Sequence, residues 1–349
     1  MKLTIYDSFT VLGYERILLK PHPPLPWHYI DISIMPTERL NDHPLSATSL
    51  EQRCRHNIVD FLRKIGLSVP DFEGPSLHGV VEDLVRAELE PLRGGDIPPE
   101  YFEQSLVIGI MAGRTVYGHT SVEAQVHMAI LTTIGIWVDD IAPGLPALAA
   151  FAERFHAGRE QLHPMLDILA ARLRRTADIY HAYGAAAIVT NYTQFVACTA
   201  MDKEDEGVAV HGAAGEYIVY KRVRNGIGEA YSFGMWDKEH FPEPSTHVQM
   251  IPESMTFLCY ANDIFSFYKE ELAQEKSNFI HDRMRVTGRC LEDALMDTIE
   301  DTVAAVTRAR KILRGEKERM AWEEFLQGYV TFHFIAPRYK LRQLLSPSI

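Results

Sequence analysis

Beyond residue 48, apolar residues recur three and four positions apart along most of the chain, the spacing of helices that bury one face. In "SLEQRCRHNIVDFLRKIGL" Ser49 is placed to cap a first turn and Gly66 to end the helix. The same periodicity predicts helices over about 76–92, 98–116, 119–140, 145–155, 158–183, 184–202, 214–234, 246–272, 289–314 and 317–334. Short gaps with Gly, Pro or acidic residues separate them. Few runs alternate with period two, and no internal repeat is found. The helices over 119–140, 184–202 and 246–272 are apolar on most sides and are expected in the middle of a bundle. Residues 1–50 read as an irregular, Pro-rich segment ("KPHPPLPWHYIDISIMPTERLNDHP") wrapping the surface or a neighbouring subunit. Residues 51–345 read as one all-α domain.

Composition narrows the function classes. Of 349 residues, 46% are hydrophobic and 23% charged, ample for a globular core. A formal net charge of −12 argues against general affinity for nucleic acid or anionic membranes, so an anionic ligand needs local cations or metal ions. Cys54, Cys198, Cys259 and Cys290 are far apart with no C-x-x-C pair, which fits reduced, mostly buried thiols in a cytoplasmic protein and no structural zinc. The first twenty residues match neither a signal peptide nor a membrane span, and no membrane insertion is expected.

One stretch does not fit a purely structural helix. "CYANDIFSFYKEELAQEK" (259–276) puts Asn262, Ser266 and Glu270 four apart in an apolar and aromatic run. Steps of four keep them within roughly 80° of one another over about two turns. Amide, hydroxyl and carboxylate oxygens are the hard donors that Mg²⁺ accepts, and Lys269 beside Glu270 suits an anion bridging protein and metal. A polar network in the core, or a face bonded to a neighbouring loop, explains the spacing equally well.

Three further stretches carry candidate chemistry. In "TIGIWVDDIAPG" an apolar helix ends in Asp139 and Asp140 before Pro143 and Gly144. Carboxylates at the negative end of a helix call for a compensating cation, although an Asp pair at a surface helix end is common. In "YIVYKRVRNGIGEAYSF" Gly226 and Gly228 fall inside a helical pattern after Arg222 and Asn225, suggesting a break or close backbone approach; a tolerated kink with a surface arginine is the plain alternative. In "WEEFLQGYVTFHFIAPRYKLRQLL" the aromatic stripe is more simply core packing, with Arg338 and Tyr339 following Pro337.

Together these stretches resemble class I terpene cyclases, specifically the fungal trichodiene synthase-like family. "NDIFSFYKE" matches the family's N-D-x-x-S-x-x-K-E pattern at each defined position; "RVRNG", "GYVTFHF…PRYKL" and "AGREQLHP" (157–164) follow its order. The chain departs from the family at Asp139-Asp140-Ile141-Ala142-Pro143, which lacks the distal acid, and at Ala336-Pro337-Arg338-Tyr339-Lys340, which lacks an acid and an arginine. The resemblance implies a single-domain class I terpenoid synthase bundle around a central cavity. It further implies three Mg²⁺ ions, with Asp139 bridging two and Asn262, Ser266 and Glu270 holding a third. Arg222, Lys269, Arg338 and Tyr339 would bind the diphosphate, and Asn225 and Gly226 would relay its binding to the helix break. A homodimer is implied likewise.

The expected activity is ionisation of farnesyl diphosphate and cyclisation of the carbocation to a sesquiterpene hydrocarbon or alcohol. Aromatic faces stabilise such a cation without attacking it. Phe332 and Tyr329 are expected to line the pocket, opposite Met128, Thr132 and Gly135 before Asp139, with Met255 and Leu258 before Asn262. A chain-elongating prenyltransferase shares the fold but typically carries two aspartate-rich motifs; a non-catalytic helical scaffold leaves the 262–270 stripe unexplained.

Overall fold

Where the chain supplies caps and prolines, helices start, and the computed structural model, which describes residues 49–74, 76–140, 146–204 and 208–345, shows this at several ends. Helix α1 (Leu50–Lys64) opens with a capping box: the Ser49 hydroxyl accepts from the Gln52 N–H, and the Gln52 side chain accepts from the Ser49 N–H. It is followed by α2 (Val80–Leu89), α3 (Pro99–Thr115), α4 (Val122–Asp140) and α5 (Pro146–His156). The single helix expected over 158–183 is instead α6 (Pro164–Arg174) and a short α7 (Thr176–Ile179). Pro164 sets the first turn of α6, and His163 Nδ1 caps it by accepting from the Met165 N–H, so the preceding residues cannot be helical.

Next come α8 (Ala182–Glu204), α9 (Gly215–Asn225) and α10 (Gly228–Phe233). The helix expected over 214–234 is thus divided at Gly226 and Ile227. Helix α11 (Ile251–Leu272) starts later than its periodicity suggested, because 3-10 turns occupy Pro244–Thr246 and Val248–Met250. Two short helices lie outside the sequence expectations: α12 (Phe279–Thr287), capped by Asn278 and stopped by left-handed Gly288, and α15 (Leu341–Leu345). Between them run α13 (Leu291–Ile312) and α14 (Glu316–Ile335), and a 3-10 turn at Pro337–Tyr339 leads into α15. Among the described residues there is no strand. The Pro143-Gly144 stop and residues 1–48 of the irregular segment lie outside the described residues.

Helices α4 and α11 form the middle of the bundle, with thirteen and twelve buried residues respectively. Gly109 and Gly113 on α3 let that helix lie directly against α4: a Cβ at Gly113 would sit 2.7 Å from the Gln125 carbonyl and 2.9 Å from Ala129 Cβ. Phe102 stacks on Trp137 across the same contact, ring centroids 5.6 Å apart. On α11, Phe257 packs edge-on to Trp322 and Tyr329 of α14, and Phe265 packs edge-on to Phe61 of α1. One continuous apolar core runs from Cys54 to Leu344. Cys54, Cys198 and Cys259 are buried free thiols, and exposed Cys290 caps α13 through its sulfur.

Candidate active site

The polar stripe on α11 faces three different neighbours. Asn262 sits at its centre: the side-chain oxygen accepts from Arg222 Nη2 at 3.3 Å, and the amide nitrogen reaches Tyr339 Oη at 3.1 Å and His333 Nε2 at 3.2 Å. Ser266 is buried, and its hydroxyl donates to the Asp263 carbonyl at 3.4 Å, which leaves the oxygen's lone pairs available. Glu270 accepts from Asn278 Nδ2 at 3.0 Å and pairs with Lys269 Nζ at 3.6 Å. The stripe is therefore partly satisfied by the protein itself, as the plain reading of a polar network anticipates.

Arg222, on the last turn of α9, is fixed onto α11. Its Nε donates to both oxygens of Asp263, Nη2 donates to the Cys259 carbonyl at 2.9 Å, and Nη1 reaches Asn225 Oδ1 at 3.4 Å. Burial pushes the Asp263 carboxyl up to about 6 against the pull of Arg222. Asn225 also donates to Asp202 at 3.4 Å. Immediately after, Gly226 and Gly228 make the close approach their positions suggested: a Cβ on either would sit within 2.9 Å of Cys259 Sγ. Between them Ile227 is left-handed at φ 51°, a costly conformation for a β-branched residue. The Ile227 side chain reaches toward Gly135 of α4.

The other wall is the end of α4. Tyr101 donates to Asp140 Oδ2 at 2.6 Å and Arg338 Nη2 donates to Asp140 Oδ1 at 3.3 Å. Asp139 differs: among the described residues its carboxylate accepts no hydrogen bond. Although open to solvent, it is ringed by protein, and desolvation followed by the adjacent Asp140 charge raises its carboxyl above the ordinary value. Arg338, Arg222 and Lys269 pull the other way. By hydrogen bonds, the Asn262 amide joins the motif on α11 to Arg222 and Tyr339, and Arg338, next to Tyr339, joins Asp140 at the end of α4.

A hollow of about 210 Å³ opens beside Asp140, walled also by Tyr101, Gln104, Ser105 and Ile108 of α3, Ile136 of α4, and Lys269 and Arg338; Asp139, Arg222, Asn262, Ser266, Glu270 and Tyr339 do not border it. A second, apolar hollow of about 120 Å³ between Tyr180, Phe233, Trp236 and His247 carries no residue of the acid or amide motifs. Asp237, Glu239 and His240 also group their ligand-type atoms within 4.8 Å, on the loop after α10, but His240 Nδ1 already pairs with Asp237 Oδ1 at 2.9 Å.

The residues at the end of α4 and on α11 fit a divalent cation. Their donors are hard oxygens, and the raised Asp139 carboxyl, unpaired beside Asp140, is where an added cation would relieve like-charge repulsion. The expected apolar lining is likewise set back from the hollow. None of Met128, Thr132, Gly135, Met255, Leu258, Tyr329 and Phe332 borders the 210 Å³ hollow. Met128 lies about 16 Å before Asp139 along α4 and is fully buried beside Gly234 and Tyr117. Leu258 is buried, and its carbonyl accepts from the Tyr329 hydroxyl at 2.8 Å, which holds that ring in the core. Thr132 is buried, Met255 is half-buried with its backbone against Gly228, and Phe332 packs edge-on to Tyr339.

Sequence reasoning missed several participants. Asp263 sat inside the quoted motif but was not assigned a role. Tyr101, His333 and Tyr231 carry no local signal that separates them from core aromatics; Tyr231 senses both Arg338 and Asp139.

With this geometry in place, comparison with known proteins is informative. A family model described as trichodiene synthase (TRI5) matches residues 102–347. Terpene synthase 29 of Postia placenta is 33% identical over 299 residues, 85% of this chain and 86% of that protein. Monoterpene synthase 25 of the same fungus is 34% identical, covering 84% and 87%. Longiborneol synthase of Gibberella zeae is 31% identical over 68% of this chain and 72% of its own length. Among solved structures, linalool/nerolidol synthase from Streptomyces clavuligerus superposes with a TM-score of 0.57 at 14% identity, covering 75% of this chain and 99% of that one. Hedycaryol synthase in complex with nerolidol gives 0.53 at 15% identity, covering 78% and 99%. At these identities the structural likeness speaks for the fold alone.

Proposed function

Because this chain belongs to the trichodiene synthase family, and so is a terpene synthase with the all-α class I fold, we propose that it ionises farnesyl diphosphate, releases diphosphate and cyclises the resulting carbocation to a sesquiterpene hydrocarbon or alcohol. One observation carries the reading: Asn262 of α11 is hydrogen-bonded to Arg222 of α9 and to Tyr339, while Arg338 beside Tyr339 is hydrogen-bonded to Asp140 at the end of α4. Acid, amide and cationic groups from four separate segments are linked in this way and would meet an incoming anion together.

Asp139, Asn262, Ser266 and Glu270 would hold Mg²⁺, three ions by family likeness, and the metal supplies charge neutralisation of the departing diphosphate. Arg222, Lys269, Arg338 and Tyr339 would bind the same group. Arg338 is held at the hollow by Asp140, which Tyr101 in turn fixes by donating to its other oxygen, so the guanidinium is oriented before an anion arrives. The allylic C–O bond breaks with its electron pair leaving on oxygen, and donors fixed in place stabilise that charge without reorganising. Lys269, paired loosely with Glu270 at 3.6 Å, is a donor that an incoming phosphate oxygen can take over. Asn225 and Gly226 sit where movement of Arg222 would be felt at the α9–α10 break, and Ile227 passes that contact to Gly135. The cation needs apolar, electron-rich walls. Phe332 and Tyr329, behind Tyr339, supply them once the hollow extends inward.

A second reading has specific support. The hollow's volume of about 210 Å³ is below the roughly 300 Å³ at which small-molecule sites usually begin, and one relative is a monoterpene synthase. A ten-carbon substrate, geranyl diphosphate, asks for less opening.

Incubation of the purified protein with Mg²⁺ and geranyl, farnesyl or geranylgeranyl diphosphate, followed by mass spectrometry of volatiles, separates these readings. A cyclic C15 product that disappears on metal chelation is expected. A longer linear diphosphate would reveal an elongating transferase, and no product with any of the three would remove the enzymatic reading. Family likeness extends the proposal to a cytoplasmic homodimer, which a monomeric mass in solution would contradict. No described helix is long and apolar enough to cross a membrane.

A further inference from the structure

We infer that His333 is a positioning residue: it fixes which way the Asn262 amide faces, keeping the oxygen on the Arg222 side, where it would serve as a metal ligand. The inference rests on the reading of Asn262 as a metal ligand. It begins with the second nitrogen of the ring. His333 Nδ1 lies 2.8 Å from the Tyr329 carbonyl, which can only accept, so Nδ1 carries the hydrogen. The ring is fully buried among Tyr329, Tyr339, Phe265 and Phe332, with no carboxylate hydrogen-bonded to it among the described residues. With Nδ1 as the donor, the neutral ring offers Nε2 as its acceptor, and Nε2 lies 3.2 Å from the Asn262 amide nitrogen.

Only the NH₂ end of an amide can face a lone pair. The same NH₂ also donates to the Tyr339 hydroxyl at 3.1 Å, which leaves Oδ1 on the opposite side, 3.3 Å from Arg222 Nη2. Turning the amide over would set its oxygen against the Nε2 lone pair and its NH₂ against the guanidinium, two repulsions at once. The imidazole cannot yield, because ring centroids of Tyr339 and Tyr329 lie 4.3 and 4.4 Å away. A first ligand oriented by a neighbouring group is the usual way metal sites are tuned. A histidine that merely fills the core would have no such consequence for metal binding.

The test compares wild type with His333→Phe, which keeps a ring but loses both nitrogens, and His333→Gln, whose side-chain oxygen can accept the same hydrogen bond. Titration calorimetry with Mg²⁺ in the presence of inorganic diphosphate reads binding without turnover. His333→Phe is expected to weaken Mg²⁺ binding by about 10–100-fold, with substantial recovery in His333→Gln. Wild-type affinity in a folded His333→Phe would overturn the inference, as would equal loss in both variants. Should His333→Phe fail to fold, ¹⁵N-histidine spectra of the wild type decide, with the signal identified by its loss in His333→Gln. A protonated Nδ1 and bare Nε2 support the inference; a protonated Nε2 overturns it. Failure of wild type to bind Mg²⁺ and diphosphate would instead remove the reading of the whole site, and the inference with it, whatever the tautomer.

Discussion

Arg222 on α9 grips Asp263 on α11 with its Nε, 3.0 and 2.9 Å from the two carboxylate oxygens, while Nη2 reaches the Cys259 carbonyl one turn earlier. The planar fork thus spans a turn of helix, side chain at one end and backbone at the other. It also touches Asn262, so any anion that draws the guanidinium away must disturb the proposed metal motif at the same time.

Arg222→Lys tests this directly. Lysine keeps the charge but presents a point rather than a fork, and it cannot meet Asp263, the Cys259 carbonyl and Asn262 together. The expected outcome is a loss in kcat/KM on the order of 10²-fold, the usual consequence of removing one fixed donor from a developing anion. Steady-state kinetics at saturating Mg²⁺ measure it; activity within a few-fold of wild type would show that the fork contributes only charge.

Phe332 is a sharper probe of the carbocation wall than its sequence position implies. It is buried and packed edge-on to Tyr339, so truncation to alanine would cost about 3–5 kcal/mol and confuse folding with specificity. Phe332→Leu retains most of the volume while removing the π face. It should change the ratio of volatile products while the thermal midpoint falls only modestly. An unchanged product ratio, read by gas chromatography with mass detection, would take Phe332 out of the wall.

How much of this was readable beforehand follows from the range of each interaction. Ser49 acts on its own turn, so the cap could be read from spacing; Gly226 and Gly228 marked a break or a close approach, but not that Cys259 is the neighbour approached. Local cues were also present for α12, Asn278 at its start and Gly288 at its end, but its apolar face is too short to stand out. Pro164 was likewise visible and should have divided the 158–183 stretch. The site is another matter. Asp140 meets Tyr101 and Arg338 across chain separations of 39 and 198 residues, and Asn262 meets His333 across 71. Periodicity says which side of a helix is buried, but not which other helix it meets. The burial of Met128 and Leu258 away from the hollow has the same origin: a stripe leading to Asp139 or Asn262 continues into the core.

Acid should destabilise the protein partly through His127. Burial first, then Arg172 and Arg175, push this imidazole down from the ordinary 6.5 to about 3, and Tyr180 packs edge-on against it. The native state keeps it neutral while the unfolded chain takes up a proton below 6.5. Its contribution is therefore complete above 6.5 and lost as the pH falls toward 3, by at most about 1.4 kcal/mol per pH unit. Asp263, raised to about 6, acts in the opposite sense between its ordinary 3.8 and 6, so the wild-type curve alone is ambiguous. His127→Gln removes only the histidine. Urea unfolding at intervals from pH 7 to pH 5 should show the gap between wild type and variant narrowing as the pH falls below 6.5; a constant gap would mean that His127 takes up its proton equally in the native and unfolded states.

The approach of the α9–α10 break to α11 can be measured as a coupling. A Cβ on Gly228 would stand 2.8 Å from Cys259 Sγ and 3.4 Å from the Met255 carbonyl. Gly228→Ala alone should therefore destabilise by about 1–3 kcal/mol, the usual cost of overpacking a filled core. Cys259→Ala removes the atom responsible and leaves only the looser carbonyl contact. In the double variant the new methyl occupies space the sulfur gave up, so the combined cost should fall short of the sum by about 1 kcal/mol or more. Additive effects in equilibrium unfolding would mean that the backbone at Ile227 shifts to absorb the methyl. The break would then be compliant rather than pinned against Cys259, and movement of Arg222 could not be passed through it to Gly135.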